Sequence, residues 1–208
     1  MRELEVREAL YNFEIRKITE REPLSLIIDE LGVMEGAYRI DLAVINSKIR
    51  GYEIKSAADN LDRLAAQQAS YSMIFDQMTL VADAKHVPEA VKIVPGWWGL
   101  ISVSSEGGRP VLNEIWPSRQ NVNVDKFALA QLLWRPEALD VLKERGLDWG
   151  VRTKARRFIW EVIARELSHE ELRAVIAKKL AARADWRKPD RPRKRRKKSG
   201  HARRSRRR

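Results

Sequence analysis

Three residues in this chain have the types and spacing of a phosphodiester site. Asp41 stands in "RIDLAVI", and Glu53 and Lys55 stand in "GYEIKS". Strand side chains alternate with period two, so Glu53 and Lys55 share one face while Tyr52 and Ile54 share the other. Asp41 shares its face with Arg39 and Ala43; Ile40, Leu42 and Val44 form an apolar face opposite. Two carboxylates side by side repel unless a cation sits between them, and an all-oxygen set of this kind suits Mg2+ or Mn2+. A lysine beside them adds positive charge where phosphate oxygens would lie and can orient an attacking water. The competing reading of Glu53 and Lys55 is an exposed strand face with a weak ion pair.

Register decides whether the carboxylates meet. If Asn46, Ser47 and Lys48 form a three-residue loop, Ile45 pairs with Ile49 and Asp41 lies opposite Glu53. A two-residue loop without a bulge would pair Asp41 with Tyr52 and part the two acids. The run that follows, "LDRLAAQQASY", reads as a helix. It puts Arg63, Gln67 and Tyr71 on one face at i, i+4 and i+8, beside a packing stripe of Leu61, Leu64, Gln68 and Phe75. That polar face would hold a nucleic-acid backbone.

The elements that must position these residues can be read from periodicity and turn signals. A helix is expected over residues 3–18 and a strand over 25–30. "AYRIDLAVI" (37–45) and "IRGYEIKS" (49–56) are two more strands. A helix capped by Asp59 or Asn60 runs to Phe75. "QMTLVAD" is a buried strand, "KHVPEAVKIV" a short helix, "WWGLISVS" a strand, "GGRP" a turn and "PVLNEIWPS" an extra strand. The order is α-β-β-β-α-β: a mixed sheet flanked by helices in the α/β class. From residue 124 the pattern turns helical. "DKFALAQLLW", "PEALDVLKERG" and "TKARRFIWEVIAREL" give three helices, and the Ser168/Glu171 capping box opens a fourth. The division expected is a sheet domain over 1–123, a helical module over 124–186 and a tail over 187–208.

Charge separates the tail from the rest. The chain has 208 residues, 44% of them hydrophobic, no cysteine and a formal net charge of +12. Residues 187–208 hold 14 of the 41 Lys and Arg and one acid, Asp190, so the body is nearly neutral. A block this basic is expected to be disordered and to bind polyanions by counterion release. Without cysteine there is neither a disulfide nor a thiolate zinc site. His86, His169 and His201 lack metal-ligand spacing. No apolar run approaches the roughly 20 residues of a membrane span, and the N-terminus lacks a signal core, so a cytoplasmic protein is expected. No phosphate-binding glycine loop is present, which argues against a nucleotide cofactor. Trp97 and Trp98 could offer a stacking platform; the plainer expectation is one core residue and one against the helical module. Arg152, Lys154, Arg156 and Arg157 could meet phosphates or form a solvated helix face.

Asp41 followed by Glu53-Ile54-Lys55 resembles the PD-(D/E)XK nuclease superfamily, and Gln67 and Tyr71 match the Q-x-x-x-Y motif of its RecB-like branch. "DELGV", "GYEIKS", "LDRLAAQQASY" and "VPGWWGL" together look like a small group of uncharacterised bacterial proteins assigned to that superfamily. The resemblance covers residues 1–135 and more weakly the helical module; Ile40 stands where the motif's proline would. It implies a restriction-endonuclease-like fold and a Mg2+-dependent hydrolase that cuts DNA, with RNA an open alternative. Asp41, Glu53 and the carbonyl of Ile54 would hold the metal and Lys55 would position the water. Glu30 would complete the shell, with Glu8 and Glu35 as second and third choices. Arg63, Gln67 and Tyr71 would hold the substrate backbone. Pairing of two copies to cut two strands is left open. The alternative is a non-catalytic nucleic-acid-binding protein on the same fold.

Overall fold

A computed structural model describes residues 3–186. Its centre is one six-stranded sheet in sequence order β1 to β6: β1 Leu26–Val33, β2 Tyr38–Ile45, β3 Ile49–Lys55, β4 Gln77–Asp83, β5 Gly99–Glu106 and β6 Arg109–Trp116. The first three strands are antiparallel, β3, β4 and β5 run parallel, and β6 returns antiparallel. Parallel neighbours need crossovers. They are α3, Leu64–Tyr71, between β3 and β4, and α4, Val87–Ile93, between β4 and β5. The expected mixed sheet with flanking helices and its element order are what the chain adopts.

Both sheet faces are covered. On one lie α1 (Glu3–Leu10) and α2 (Arg16–Arg21), joined through a π turn, Tyr11–Ile15. They bury Val6, Leu10 and Ile15 against Leu42, Val44, Tyr52, Ile54, Val81, Ile101 and Val103. The other face carries α3, α4 and four more helices: α5 Lys126–Ala130, α6 Arg135–Glu144, α7 Arg156–Glu166 and α8 His169–Trp186. One continuous apolar cluster runs from Leu31 through Leu80, Leu100 and Leu129 to Ile163 and Leu180. The change at residue 124 is therefore a change of secondary structure within a shared core. An ion pair fastens the two parts. The buried Asp76 takes two bonds from Arg173 of α8, at 2.9 and 2.5 Å, and one from the Ile49 amide at 2.8 Å.

Three local differences from the sequence reading have physical causes. β1 extends to Val33, three residues beyond its expected end, and Glu30 lies inside it. Glu30 has φ +56°, an uncommon region for a residue with a Cβ. α3 begins at Leu64, because Asp59 bonds back to the amide and hydroxyl of Ser56 at 2.7 and 2.6 Å instead of capping a helix. The short polar side chain closes a loop where a cap was expected. Gly107 and Gly108, with φ of +56° and +78°, make the two-residue turn between β5 and β6. The basic tail, His201 included, lies outside the described residues. Among those described, no helix is long and apolar enough to cross a membrane.

Candidate functional site

The β2–β3 hairpin determines the site. Ile45 pairs with Ile49 across Asn46, Ser47 and Lys48, and the ladder runs to Leu42 opposite Tyr52. The next step brings Asp41 beside Glu53. Here the ladder ends: Asp41 Oδ2 accepts the Ile54 amide at 2.6 Å, a side chain in the role of a backbone partner. Both acids line a cleft of about 370 Å³ with Glu3, Tyr38, Arg39, Ile54, Lys55, Arg63 and Gln67.

Glu53 is 2% exposed. Its Oε1 accepts Lys55 Nζ at 2.8 Å and Gln67 Nε2 at 2.6 Å. Its Oε2 is buried with no partner. Lys55 also donates to Gln67 Oε1 at 3.0 Å, so three side chains close a ring. Tyr71, 0% exposed, donates to the Arg39 carbonyl at 2.9 Å and receives a long bond of 3.4 Å from Gln67. The expected contact of Tyr71 with a substrate backbone gives way to an inward role: it positions Gln67, which positions Glu53. Trp98 is buried and stacks on Tyr71, with ring centroids 6.4 Å apart, and is no platform for bases. Trp97 is partly buried against the same cluster.

Burial dominates the electrostatics. Desolvation and then the Glu53 charge push the Asp41 carboxyl up to about 7, against the relief given by the Ile54 amide. Glu53 is also raised by burial, with Lys55 pulling the other way. Two neighbouring acids that both resist ionisation titrate as a pair, with Lys55 relieving Glu53 in part.

The sequence reading missed α1. Arg7 donates to Glu3 at 2.6 Å, Asp29 at 2.8 Å, Glu30 at 2.9 Å and the Asp41 carbonyl at 2.7 Å. Neighbours on a regular strand point to opposite faces. One guanidinium reaches both Asp29 and Glu30 because the positive φ of Glu30 re-aims its side chain. Glu3, Glu30 and Asp41 each offer an oxygen, and these lie within 4.8 Å of one another. Oxygens so spaced surround a common point and would draw inward to close on a Mg2+ or Mn2+ ion. This oxygen-only set is of the kind a hard divalent cation takes, and Glu53, with its unpartnered oxygen, lines the adjoining cleft. The signal available in the sequence was the i, i+4 pair Glu3 and Arg7 on a helix that had to pack near the hairpin. Of the alternative ligands, Glu8 is an exposed α1 residue and Glu35 pairs with Arg156 of α7. The basic run is partnered locally: Arg152 with Asp148, Arg157 with Glu161, and Lys154 over the Phe158 ring. His86 and His169 meet the carbonyls of Ser56 and Val124.

Comparison with known proteins changes what this constellation means. The sequence model of the family described as Bacteriophage P4 protein cII matches residues 1–197. Protein cII of Enterobacteria phage P4 is 28% identical over 176 residues, covering 85% of this chain. The match covers 65% of that protein, so the chain spans just under two thirds of its curated relative's length. No solved structure matches the chain. A match over nearly the whole chain outweighs a resemblance carried by a few short motifs. The expected membership of the PD-(D/E)XK superfamily is therefore overturned, and with it the expected nuclease, a Mg2+-dependent hydrolase of DNA. The physical reason is that an acid, an E-x-K strand and a polar helix face describe one local packing solution. In it Lys55 and Gln67 hold Glu53 through Oε1, and that packing does not itself define a reaction.

Proposed function

The chain belongs to the bacteriophage P4 protein cII family, and we propose that it binds DNA with a divalent cation, Mg2+ or Mn2+, held in the cleft between β2 and β3. Asp41 and Glu53 hold the ion, with the Ile54 carbonyl and Glu30 as further donors, and the ion takes a backbone phosphate as an outer ligand. Lys55 and the exposed Arg63 lie along the same cleft and offer the phosphate positive charge. The basic run over residues 187–208 supplies sequence-independent affinity. The observation that carries the reading is the Asp41–Glu53 pair: a half-buried acid beside a buried one whose Oε2 has no partner. Such a pair is costly without a cation. Residence in the cytoplasm belongs to the same proposal.

The test is fluorescence anisotropy of labelled duplex DNA, with single-stranded DNA and RNA in parallel, in EDTA and in MgCl2 or MnCl2. Divalent ions are expected to tighten binding to the wild type, and Asp41→Asn with Glu53→Gln to abolish that gain while leaving the EDTA affinity. Binding that ignores both the ions and the substitutions overturns the proposal.

A further inference from the structure

The first helix brings two residues of opposite sign to the acids beside the cleft: Glu3 lines it, and Arg7 bonds to Glu3 and Glu30. Resting on the cation reading above, we infer that Glu3 is a ligand of the divalent ion and that Arg7 is the ion's resident competitor. Neither residue carries a phosphate-site motif; their role follows from where α1 docks.

Arg7 Nη2 lies 2.6 Å from Glu3 Oε1 and 2.9 Å from Glu30 Oε1. Glu3 and Glu30 are two of the three acids whose oxygens lie within 4.8 Å of one another; the third is Asp41. Arg7 Nη1 reaches Asp41 through its carbonyl at 2.7 Å. The guanidinium thus already fills the place of a cation among these groups. A second observation points to an ion. In the same cleft Glu53, 2% exposed, keeps Oε2 without a partner, and neither Arg7 nor Lys55 bonds to it.

The two cations are not equivalent. Arg7 is a planar fork of single charge, and its bonds go to Glu3, Asp29, Glu30 and a backbone carbonyl. A divalent ion gathers oxygens on all sides of a point and can include Glu53. When the ion enters, Glu3 and Glu30 turn their oxygens to it, and Arg7 keeps Asp29 and the Asp41 carbonyl. Without the ion, Arg7 neutralises the acids of β1 and holds α1 against the sheet. Val6 and Leu10, buried on either side of Arg7 in sequence, keep the helix docked through the exchange. Arg7 therefore weakens ion binding, and removing it strengthens binding even though a favourable contact is lost.

The experiment is calorimetric titration of the full chain with MnCl2, with far-UV circular dichroism on each variant. Arg7→Gln is expected to tighten Mn2+ binding by about tenfold or more, and Glu3→Gln to weaken it by a similar factor. Glu8→Gln, an exposed change on the same helix, should leave it unchanged. Arg7→Lys keeps the charge but loses the fork, and should lie between wild type and Arg7→Gln; it carries the test if Arg7→Gln fails to fold. Unchanged or weaker Mn2+ binding in the folded Arg7 variants overturns the inference while leaving the cation reading intact. Absence of Mn2+ binding in the wild type and in every variant sinks the cation reading itself.

Discussion

Replacing Asp41 with Asn should stabilise the ion-free protein, and by an amount that depends on pH. The Asp41 carboxyl is pushed from its ordinary 3.8 to about 7, first by burial and then by the Glu53 charge. An acid whose folded value lies above its unfolded value costs nothing below the unfolded value. The folded state then loses stability as pH rises toward the folded value, because the unfolded chain releases the proton more readily. The window runs from about pH 4 to about pH 7, with the full cost above it. About three units at 1.36 kcal/mol each set a ceiling of roughly 4 kcal/mol, and sharing with Glu53 lowers the realised figure to the order of 2–4 kcal/mol. Asn is close to isosteric, and its oxygen can still accept the Ile54 amide, so packing and that hydrogen bond survive. Urea denaturation in EDTA from pH 4 to pH 9 measures the effect. The two proteins should nearly coincide at pH 4 and diverge to a plateau above pH 7, with Asp41→Asn the more stable. Added MnCl2 should then close the gap by stabilising only the wild type. A wild type that gains on Asp41→Asn between pH 5 and pH 8 would refute the account of the buried acid pair.

Other perturbations test the elements around the cleft. A Cβ at Gly51 would lie 2.4 Å from Met78 Sδ and 3.0 Å from the Phe75 ring; Gly51→Ala should cost on the order of 1–3 kcal/mol in chemical denaturation as β3 is pushed off these two side chains. Asp76→Ala strands Arg173 and the Ile49 amide, and should cost about 3–5 kcal/mol while loosening α8, seen as faster hydrogen exchange in α8. Tyr71→Phe keeps the ring stack but frees the Arg39 carbonyl and Gln67. It should cost about 1 kcal/mol and weaken Mn2+ binding measurably, whereas an unchanged titration would confine Tyr71 to packing.

The fold was legible because its signals are local. Alternation in "YRIDLAVI" and "IRGYEIK" marked two strands, and three polar residues between them determined the register that sets Asp41 beside Glu53. Gly107-Gly108 marked the β5–β6 turn, and the capping box at Ser168 and Glu171 forms. What stayed hidden depends on long-range packing or on backbone conformation that the sequence does not advertise. The positive φ of Glu30 is one case, since nothing in "IIDELGV" signals a left-handed residue inside a strand. Arg7 is another: beyond Glu3 its partners lie 22 to 34 residues away, and only the docking of α1 brings them together. Asp76 is a third: it joins α8 to the sheet because Arg173, 97 residues on, folds back over it. The chemistry was the least legible part. The same residues that assemble a cleft also satisfy one another, and family membership, carried by nearly the whole chain, does not follow the few that stand out by charge.

The charge balance of the cleft argues that its acids serve something other than stability. Glu3, Asp41, Glu53 and Asp59 line it with Arg39, Lys55 and Arg63, and Glu30 and Arg7 adjoin it at Glu3; of these acids Glu53 is the buried one. Apolar residues at positions 41 and 53 would pack between the two faces without the desolvation that raises both carboxyls. Lys55 does not balance the pair alone, because its two bonds go to Glu53 Oε1 and Gln67 and leave Glu53 Oε2 without a partner. Arg7 cannot either, because it meets Asp41 through the carbonyl and not the carboxylate. The unmet demand is thus at Glu53 Oε2, beside Asp41, and it is there that a small divalent ion gains most. A polyanion would approach a body that is close to neutral overall, drawn by the 14 basic residues after Trp186, and meet the cleft only at short range. Salt and divalent ions should then act on different steps of DNA binding: salt on the encounter through the basic run, and the ion on the contact made at Asp41 and Glu53.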